Sequence, residues 1–187
     1  MSAPITARQA LEVLKSADLL HSTERVNAAL DLMAHAISDR LRHSDPVVLV
    51  VMNGALIPAG QLLIRLDFPF QVGYLHATRY RGETKGGALH WIAPPSRSVE
   101  GRVVLVVDDI FDEGITLKAI VENLKGVGGA REVLTACLVN KRHDRKVADF
   151  AVDFTGLEVA DRYVFGCGMD YCEYLRHLPG IYALKDA

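Results

Sequence analysis

The sequence has few cysteines, and their spacing excludes the usual structural uses of this residue. Only three occur among 187 residues, at positions 137, 167 and 172. The number is odd, and no pair has the C-x-x-C spacing of a metal or redox site. Free thiols in a reducing compartment, the cytoplasm, are therefore expected. Cys167 and Cys172 are predicted to be packing residues, because no neighbouring base is evident that would activate a thiol.

An excess of charge of one sign and a long apolar run are also missing. Lys and Arg total 21 against 23 Asp and Glu, which leaves a net charge of −2. Such a chain has no overall field that would attract nucleic acid or an anionic membrane, so neither is expected as a partner. The longest apolar stretch, Pro46 to Gly60, is interrupted by Asn53 and is too short to span a bilayer. The first residues do not have the basic start and apolar block of a secretory signal.

What the sequence does contain is the pattern of an α/β protein. A capping box at Thr6 and Gln9 predicts a helix that ends near Leu20. Apolar residues at steps of three and four predict a second helix from Val26 to Leu41. Further helices are predicted at 57–66 and 115–125, and further strands at 68–77, 133–139, 152–154 and 163–166.

Two VVLVV runs, Val47–Val51 and Val103–Val107, predict strands that are buried on both faces, as in a parallel sheet. Strands that alternate with helices indicate a parallel sheet of about five strands flanked by helices. In such sheets, ligands bind beyond the carboxyl ends of the strands.

The strongest chemical signal is the segment that follows the second of these runs. The strand ends in two carboxylates, Asp108 and Asp109, and a third, Asp112, comes three residues later. The next residues lead into a helix, whose N-terminus offers unpaired N–H groups and the positive end of a dipole. Gly114 allows a close approach of the backbone, and the Thr116 hydroxyl adds a donor, so this segment predicts a phosphate site.

Carboxylates beside a phosphate site would repel the ligand unless they bound its hydroxyl groups or a cation. Ribose hydroxyls and Mg²⁺ are the natural partners of such carboxylates. The segment therefore predicts a sugar phosphate that is held together with Mg²⁺.

The segment VVDDIFDEGIT resembles the phosphoribosyl-pyrophosphate signature of the type I phosphoribosyltransferases. Together with VVLVVMNG, LVNKR and ADRYVFGCGMDYCEYLR, it is similar to the hypoxanthine-guanine branch over roughly 47–176. The resemblance implies one phosphoribosyltransferase domain over 1–187, with a core at about 20–160 and a small hood from about 1–20 and 160–187. It implies purine salvage by a homodimer or homotetramer: transfer of the phosphoribosyl group from phosphoribosyl pyrophosphate to N9 of hypoxanthine or guanine, through an oxocarbenium-like transition state.

The resemblance also implies a role for each residue of the signature. Asp108 and Asp109 would bind the ribose hydroxyls and, with Asp170, Mg²⁺. Asp112 would be the catalytic residue that takes or shares the proton of purine N7. It would also hold the 5′-phosphate together with the residues that follow it, Glu113, Gly114, Ile115 and Thr116.

The purine base would be held by residues from the later part of the chain. Lys141 would donate to the purine O6, and Tyr163 would stack on the ring. Val164 would touch the base edge through its backbone, Asp170 would lie near its C2 side, and Arg176 would face the pyrophosphate.

Two further segments would complete the site. Met52, Asn53 and Gly54 match the pyrophosphate loop, which in this family often carries a non-proline cis peptide; some members have a lysine where Asn53 stands. Tyr80 would lie in a mobile lid, 80–87, that closes over the substrates and excludes water.

Simpler interpretations of the same residues stay open at this point. An acidic pair after a buried strand is also found in receiver domains, although there it lies near the N-terminus. Asp112 could be only a helix cap, Lys141 an exposed loop residue, Tyr163 a core residue and Arg176 a residue on the surface of a helix. The histidines suggest nothing specific, and a metal site built from His76, His90 and His143 is not expected at such spacings.

Two functional alternatives also stay open. The first is a regulator of the same fold that senses phosphoribosyl pyrophosphate and binds nucleic acid, which would need a basic face or an added DNA-binding module. The second is an enzyme that prefers xanthine.

Overall fold

The structure is a computed structural model that describes residues 5–79 and 89–185. In chain order its elements are α1 Ala7–Ser16, β1 Asp18–His21, α2 Thr23–Leu41, β2 Val47–Val51, α3 Leu56–Leu63, β3 Gln71–Arg79, β4 Leu89–Ala93, β5 Val103–Phe111, α4 Ile115–Lys125, β6 Glu132–Arg142, β7 Phe154–Ala160, β8 Val164–Phe165 and β9 Ile181–Ala183. The predicted lid, 80–87 with Tyr80, lies outside the described residues.

A six-stranded sheet forms the larger part of the molecule, and it confirms the predicted α/β class. Its strand order is β4-β3-β2-β5-β6-β7. The pairs from β3 to β7 are all parallel, whereas β4 adds to the edge as an antiparallel strand. The two VVLVV runs are β2 and the start of β5, which are neighbours in the middle of the sheet, and their residues are buried. Burial on both faces explains why these runs show no alternation of polar and apolar residues.

Several predicted boundaries were wrong, and long-range strand pairing is the reason. The first helix ends at Ser16 instead of Leu20, because Asp18–His21 forms β1 and pairs with β9. Strand β5 continues four residues beyond Val107, because β6 is long enough to pair with it as far as Asn140. Asp108 and Asp109 therefore lie within a strand. Neither β4 nor β9 was predicted.

The smaller part of the structure is a three-stranded antiparallel sheet, β1-β9-β8, with α1 packed beside it. The predicted capping box at the start of α1 is present: the Thr6 N–H donates to Gln9 Oε1 at 2.8 Å. Its own apolar cluster centres on Ala10, Phe165 and Leu175, with the Tyr182 ring stacked on Phe165 at 5.8 Å. We call α1 and this sheet the hood.

None of the described helices is both long enough and apolar enough to cross a membrane.

Candidate active site at the carboxyl ends of the parallel strands

The two adjacent aspartates of β5 face two different cavities. Asp108 lines a cavity of about 770 Å³, and Asp109 lines a smaller one of about 230 Å³. This division follows from the alternation of side chains along a strand. Burial raises the pKa of Asp108 well above its ordinary value, and the Asp109 charge adds to the effect. Burial also raises the pKa of Asp109, although hydrogen bonds with Asp108 and the Ile110 N–H and the charge of Arg176 oppose it. A hydroxyl donor or a cation would relieve this accumulation of negative charge.

The larger cavity is closed on one side by the start of α4. It is lined by the predicted phosphate-binding residues Asp112, Glu113, Gly114, Ile115 and Thr116. Gly114 is the N-cap of α4 at φ +77°, and no side chain caps this helix. A Cβ at Gly114 would lie 2.2 Å from the Phe111 ring, so only glycine fits here. The first turn of an 11-residue helix thus faces the cavity, which is a suitable geometry for a phosphate group.

Asp112 receives a hydrogen bond on each of its carboxylate oxygens. Lys141 Nζ lies 2.7 Å from Oδ2, and His143 Nε2 lies 2.7 Å from Oδ1. Burial by itself raises the pKa of Asp112, but the hydrogen bonds and charges of Lys141 and His143 outweigh it, and the net shift is downward. Asp112 is therefore held as a carboxylate at the junction of the two cavities, both of which it lines.

These contacts exclude two of the simpler interpretations. Asp112 is not the cap of α4, because that position is taken by Gly114. Lys141 is not an exposed loop residue: it lies within β6, and its side chain is only 11% exposed.

The smaller cavity joins the core to the hood. Asp109, Asp112 and Lys141 line it from the core, and Tyr163, Val164, Met169 and Asp170 line it from the segment that forms the hood. Tyr163 is 48% exposed and meets Tyr171 edge-to-face at 5.7 Å, so it is not a core residue. Burial and the Asp170 charge raise the pKa of Tyr163 above its ordinary value. The cavity thus offers an aromatic ring and a lysine amine to one ligand.

Arg176 lies in an irregular loop, not on a helix. Its Nη1 donates to the Gly168 carbonyl at 2.8 Å, and its Nη2 pairs with Asp170 at 2.8 Å. The loop has positive φ at six positions: Gly166, Cys167, Gly168, Cys172, Glu173 and Leu175. Left-handed backbone at non-glycine residues is held only where the surroundings determine it, and it concentrates at functional sites.

The predicted pyrophosphate loop lies directly beside the aspartate pair. Its Met52–Asn53 peptide bond is cis, as the resemblance implied. A Cβ at Gly54 would lie 2.2 Å from Asp109 Oδ2, so glycine is needed for the loop to approach this carboxylate. Asn53 and Arg176 both line a third cavity, between this loop and the segment 173–177.

The predicted Mg²⁺ ligands are Asp108, Asp109 and Asp170. Asp170 pairs with Arg176 and accepts a hydrogen bond from the Glu173 N–H, and its role as a Mg²⁺ ligand stays a prediction. Across residues 5–79 and 89–185, no three His, Cys, Asp or Glu side chains form a group that could hold a metal ion. Mg²⁺ is commonly bound through one or two carboxylates together with substrate phosphates and waters. Asp108 and Asp109 fit this arrangement, in which two carboxylates and the substrate phosphates bind the ion together.

Cys167 agrees with the predicted packing role, whereas Cys172 is only partly buried. Cys167 is buried, with its Sγ 3.9 Å from Gln61 Oε1, and burial raises the pKa of its thiol to about 11. A thiol of that pKa carries almost no thiolate at neutral pH and is a poor nucleophile.

Among the residues at the site, the sequence did not indicate Met169, which lines the smaller cavity, or His143, which contacts Asp112. His143 follows the last residue of β6, and only the structure shows that it reaches Asp112, 31 positions earlier in the chain. Its place two residues after Lys141, at the end of a strand that leads to the site, is the only signal that could have found it.

Comparison with known proteins agrees with this geometry. Residues 16–172 match the family model described as "Phosphoribosyl transferase domain". A hypoxanthine-guanine phosphoribosyltransferase of Aquifex aeolicus is 31% identical over 92% of this chain and 97% of its own length. A hypoxanthine-guanine-xanthine phosphoribosyltransferase of Tritrichomonas foetus is 31% identical over 90% of this chain and 92% of its own length.

Solved structures show the same fold. A hypoxanthine phosphoribosyltransferase of Staphylococcus aureus superposes with a TM-score of 0.86 at 24% identity, over 96% of this chain and 97% of that one. A hypoxanthine-guanine-xanthine phosphoribosyltransferase superposes with a TM-score of 0.81 at 27% identity, over 90% of this chain and 97% of that one.

Proposed function

The chain belongs to the phosphoribosyl transferase domain family and, within it, to the hypoxanthine-guanine phosphoribosyltransferases. From this membership we propose the reaction that its site performs. The enzyme transfers the phosphoribosyl group of phosphoribosyl pyrophosphate to N9 of hypoxanthine or guanine. The products are the nucleoside 5′-monophosphate and pyrophosphate, so the reaction salvages purine bases. One observation carries the proposal: Asp112 lines both the cavity at the start of α4 and the cavity beside Lys141 and Tyr163.

The larger cavity takes the phosphoribosyl group. The uncapped first turn of α4 donates to the 5′-phosphate. The ribose hydroxyls lie where the two cavities adjoin, with Asp108 accepting from the larger cavity and Asp109 from the smaller one. Hydrogen bonds from the hydroxyls relieve the repulsion between the two carboxylates. The loop of Asn53 would face the departing pyrophosphate through its backbone, because its Gly54 lies against Asp109. Arg176, whose charge acts on Asp109, would face it as well.

The smaller cavity takes the base. Tyr163 offers an exposed ring face on which a purine can stack. Lys141 carries three N–H donors, of which one goes to Asp112, so others remain for the carbonyl O6. Val164 and Asp170 also line this cavity, where Val164 would meet the base edge through its backbone and Asp170 would lie near the C2 side of the base.

Asp112 is the base that accepts the proton from purine N7. Its lowered pKa keeps it ionised at neutral pH, so it accepts the N7 proton as N9 bonds to the ribose carbon. The positive charge that develops on the ribose in the oxocarbenium-like transition state is stabilised by the neighbouring carboxylates. Most of the remaining acceleration comes from holding the two substrates in line within adjoining cavities.

We propose that Mg²⁺ is bound with the substrate through Asp108 and Asp109. When bound, the ion neutralises the charge of the departing pyrophosphate. The support is the pair of adjacent carboxylates beside the phosphate site, whose negative charge burial disfavours.

The test is nucleotide formation from phosphoribosyl pyrophosphate and Mg²⁺ with each of four bases: hypoxanthine, guanine, xanthine and adenine. Hypoxanthine and guanine are expected to react, and adenine to be slower by about 10⁴- to 10⁵-fold. Xanthine as the fastest base would favour the xanthine-preferring alternative. No product with any base would refute the enzyme, and DNA or RNA binding that falls steeply between two salt concentrations would favour the regulator.

A homo-oligomer in the cytoplasm is also proposed. An apolar groove between α3 and β3 is lined by exposed Leu56, Val72 and Tyr74, which a second copy could cover. The three cysteines are unpaired, which suits a reducing compartment. Light scattering after size-exclusion chromatography tests the first point, and a monomeric mass at micromolar concentration would refute it.

A further inference from the structure

His143 has no part in the mechanism above, yet it is among the least exposed groups near the reacting atoms. Its side chain is 2% exposed, whereas the Asp112 side chain that it contacts is 42% exposed. Nε2 lies 2.7 Å from Asp112 Oδ1. A histidine this buried does not contact the substrate, so any effect on the reaction must pass through Asp112.

The other ring nitrogen shows which tautomer is present. The Arg145 backbone N–H donates to His143 Nδ1 at 3.1 Å. A nitrogen that accepts a hydrogen bond carries no proton, so in the neutral ring the proton is on Nε2. His143 is therefore the donor to Asp112. The turn that presents the Arg145 N–H is itself fixed, because the Arg145 guanidinium binds both oxygens of Asp161 at 2.6 and 2.9 Å.

The two donors to Asp112 differ in what else they must do. Lys141 lines the base cavity and is needed for the purine O6, so its contact with Oδ2 is shared once a base is bound. None of the described contacts of His143 is needed to bind a substrate. Its bond to Oδ1 can stay unchanged through the reaction, and this leaves Oδ2 directed to the base.

From this geometry we infer that His143 is a positioning residue, which holds the Asp112 carboxylate through Oδ1 so that Oδ2 meets purine N7. The inference rests on the proposed function. Interactions of this kind, in which a buried partner orients a reacting group, commonly change activity by about 10- to 100-fold when they are removed.

Other charges surround the pair and must be held constant in any test. Lys141, Arg145 and Lys146 are the cationic groups that interact with Asp112. Asp161 faces both His143 and Lys141. Substitutions at position 143 replace none of these charged residues, although they remove the ring nitrogen that accepts from the Arg145 N–H.

The experiment compares His143→Leu, which removes the donor, with His143→Gln, whose amide nitrogen can replace Nε2. In the leucine variant we expect kcat to fall about tenfold or more while the KM for phosphoribosyl pyrophosphate stays near that of the wild type. A hydrogen bond to the carboxylate lowers its pKa, so its loss should move the acidic limb of the kcat profile to higher pH. The glutamine variant should recover most of kcat and the original limb. His35→Leu, on the exposed face of α2, is the matched control and should change nothing.

Two measurements on the carboxylate and the ring do not depend on turnover. The Asp112 carboxyl carbon, followed by NMR, should titrate at higher pH in His143→Leu than in the wild type. The ring nitrogens of the wild type should show a bare Nδ1 and a protonated Nε2. An unchanged titration and acidic limb in the leucine variant, equal losses in both variants, or the opposite tautomer would overturn the inference. If the wild type forms no nucleotide, the expected His143 tautomer and the expected difference in Asp112 titration can still be observed. That outcome would overturn the proposed function and leave the positioning contact intact.

Discussion

Replacing Lys141 by methionine should separate base recognition from the handling of phosphoribosyl pyrophosphate. Methionine has nearly the length of lysine and no charge, so it fills the same nearly buried space in β6. What is lost is one ammonium group, which donates to Asp112 at 2.7 Å and faces the base cavity.

The magnitude follows from the hydrogen bond to O6. A hydrogen bond to a charged group contributes about 1.5–3 kcal/mol, so kcat/KM for hypoxanthine and guanine should fall about 10- to 150-fold. Adenine presents an amino group where these bases have O6, and the wild-type lysine meets it with donors only. The methionine variant removes these unmatched donors. The ratio of kcat/KM for hypoxanthine to kcat/KM for adenine should therefore decrease by at least the same 10- to 150-fold.

The variant should fold normally. Asp112 loses one partner but keeps His143, and its side chain is 42% exposed and can be solvated by water. We expect the free energy of unfolding to change by less than about 1 kcal/mol. The KM for phosphoribosyl pyrophosphate should stay near the wild-type value, because that ligand binds at the start of α4.

Steady-state kinetics with hypoxanthine, guanine and adenine at saturating phosphoribosyl pyrophosphate check the base preference. A second series, with phosphoribosyl pyrophosphate varied at fixed hypoxanthine, gives its KM, and urea unfolding provides the stability control. A methionine variant that keeps the wild-type preference for hypoxanthine over adenine would refute the role of Lys141. If binding of the base and binding of phosphoribosyl pyrophosphate weaken equally, the substitution has damaged the whole site.

Three other substitutions test the remaining parts of the site. Asp112→Asn should lower kcat by about 10²- to 10⁴-fold with little change in the KM for phosphoribosyl pyrophosphate, and a wild-type kcat would contradict its role. Gly54→Ala places a methyl group against the carboxylate beside it and should weaken phosphoribosyl pyrophosphate binding, measured by calorimetry; Gly60→Ala on α3, which meets open space, is the control and should bind as the wild type does. Gly114→Ala should lower the free energy of unfolding by about 1–2 kcal/mol or more, because φ is +77° and a phenylalanine ring occupies the space; an unchanged urea midpoint would contradict this.

The local signals in the sequence predicted the part of the fold that local physics determines. The capping box of α1, the apolar stripe of α2 and the two VVLVV strands depend on neighbouring residues and on uniform burial, and all are present. The edge strand β4 and the hood strands β1 and β9 were missed or misassigned. All three are short, and β1 and β4 are partly exposed. Strands β1 and β9 form only because they pair with each other across most of the chain, and β4 forms by pairing with β3.

The candidate site divides in the same way. The aspartates and the start of α4 lie in one continuous segment, so a motif predicted their grouping. The contact of His143 with Asp112 depends on how β6 lies beside β5, which no local pattern encodes. The motif predicted Arg176 as a site residue, and its charge acts on Asp109. Its bonds to Gly168 and Asp170, however, depend on the left-handed turns of its loop.

The pairing of β1 with β9 has a consequence for how the molecule is made. Synthesis proceeds from the N-terminus, and domains begin to fold as the chain emerges. Once Ala160 has emerged, every strand of the six-stranded sheet has been made, and the phosphate site at the start of α4 can form. Strand β8, which carries Val164 of the base cavity, must still wait for residues 181–183, and so must β1 at residues 18–21. Contacts as distant in sequence as that of β1 with β9 form slowly. A nascent chain therefore passes through a stage in which the phosphate half of the site can be complete and the purine half cannot, and translation must reach Ala183 before the two can meet.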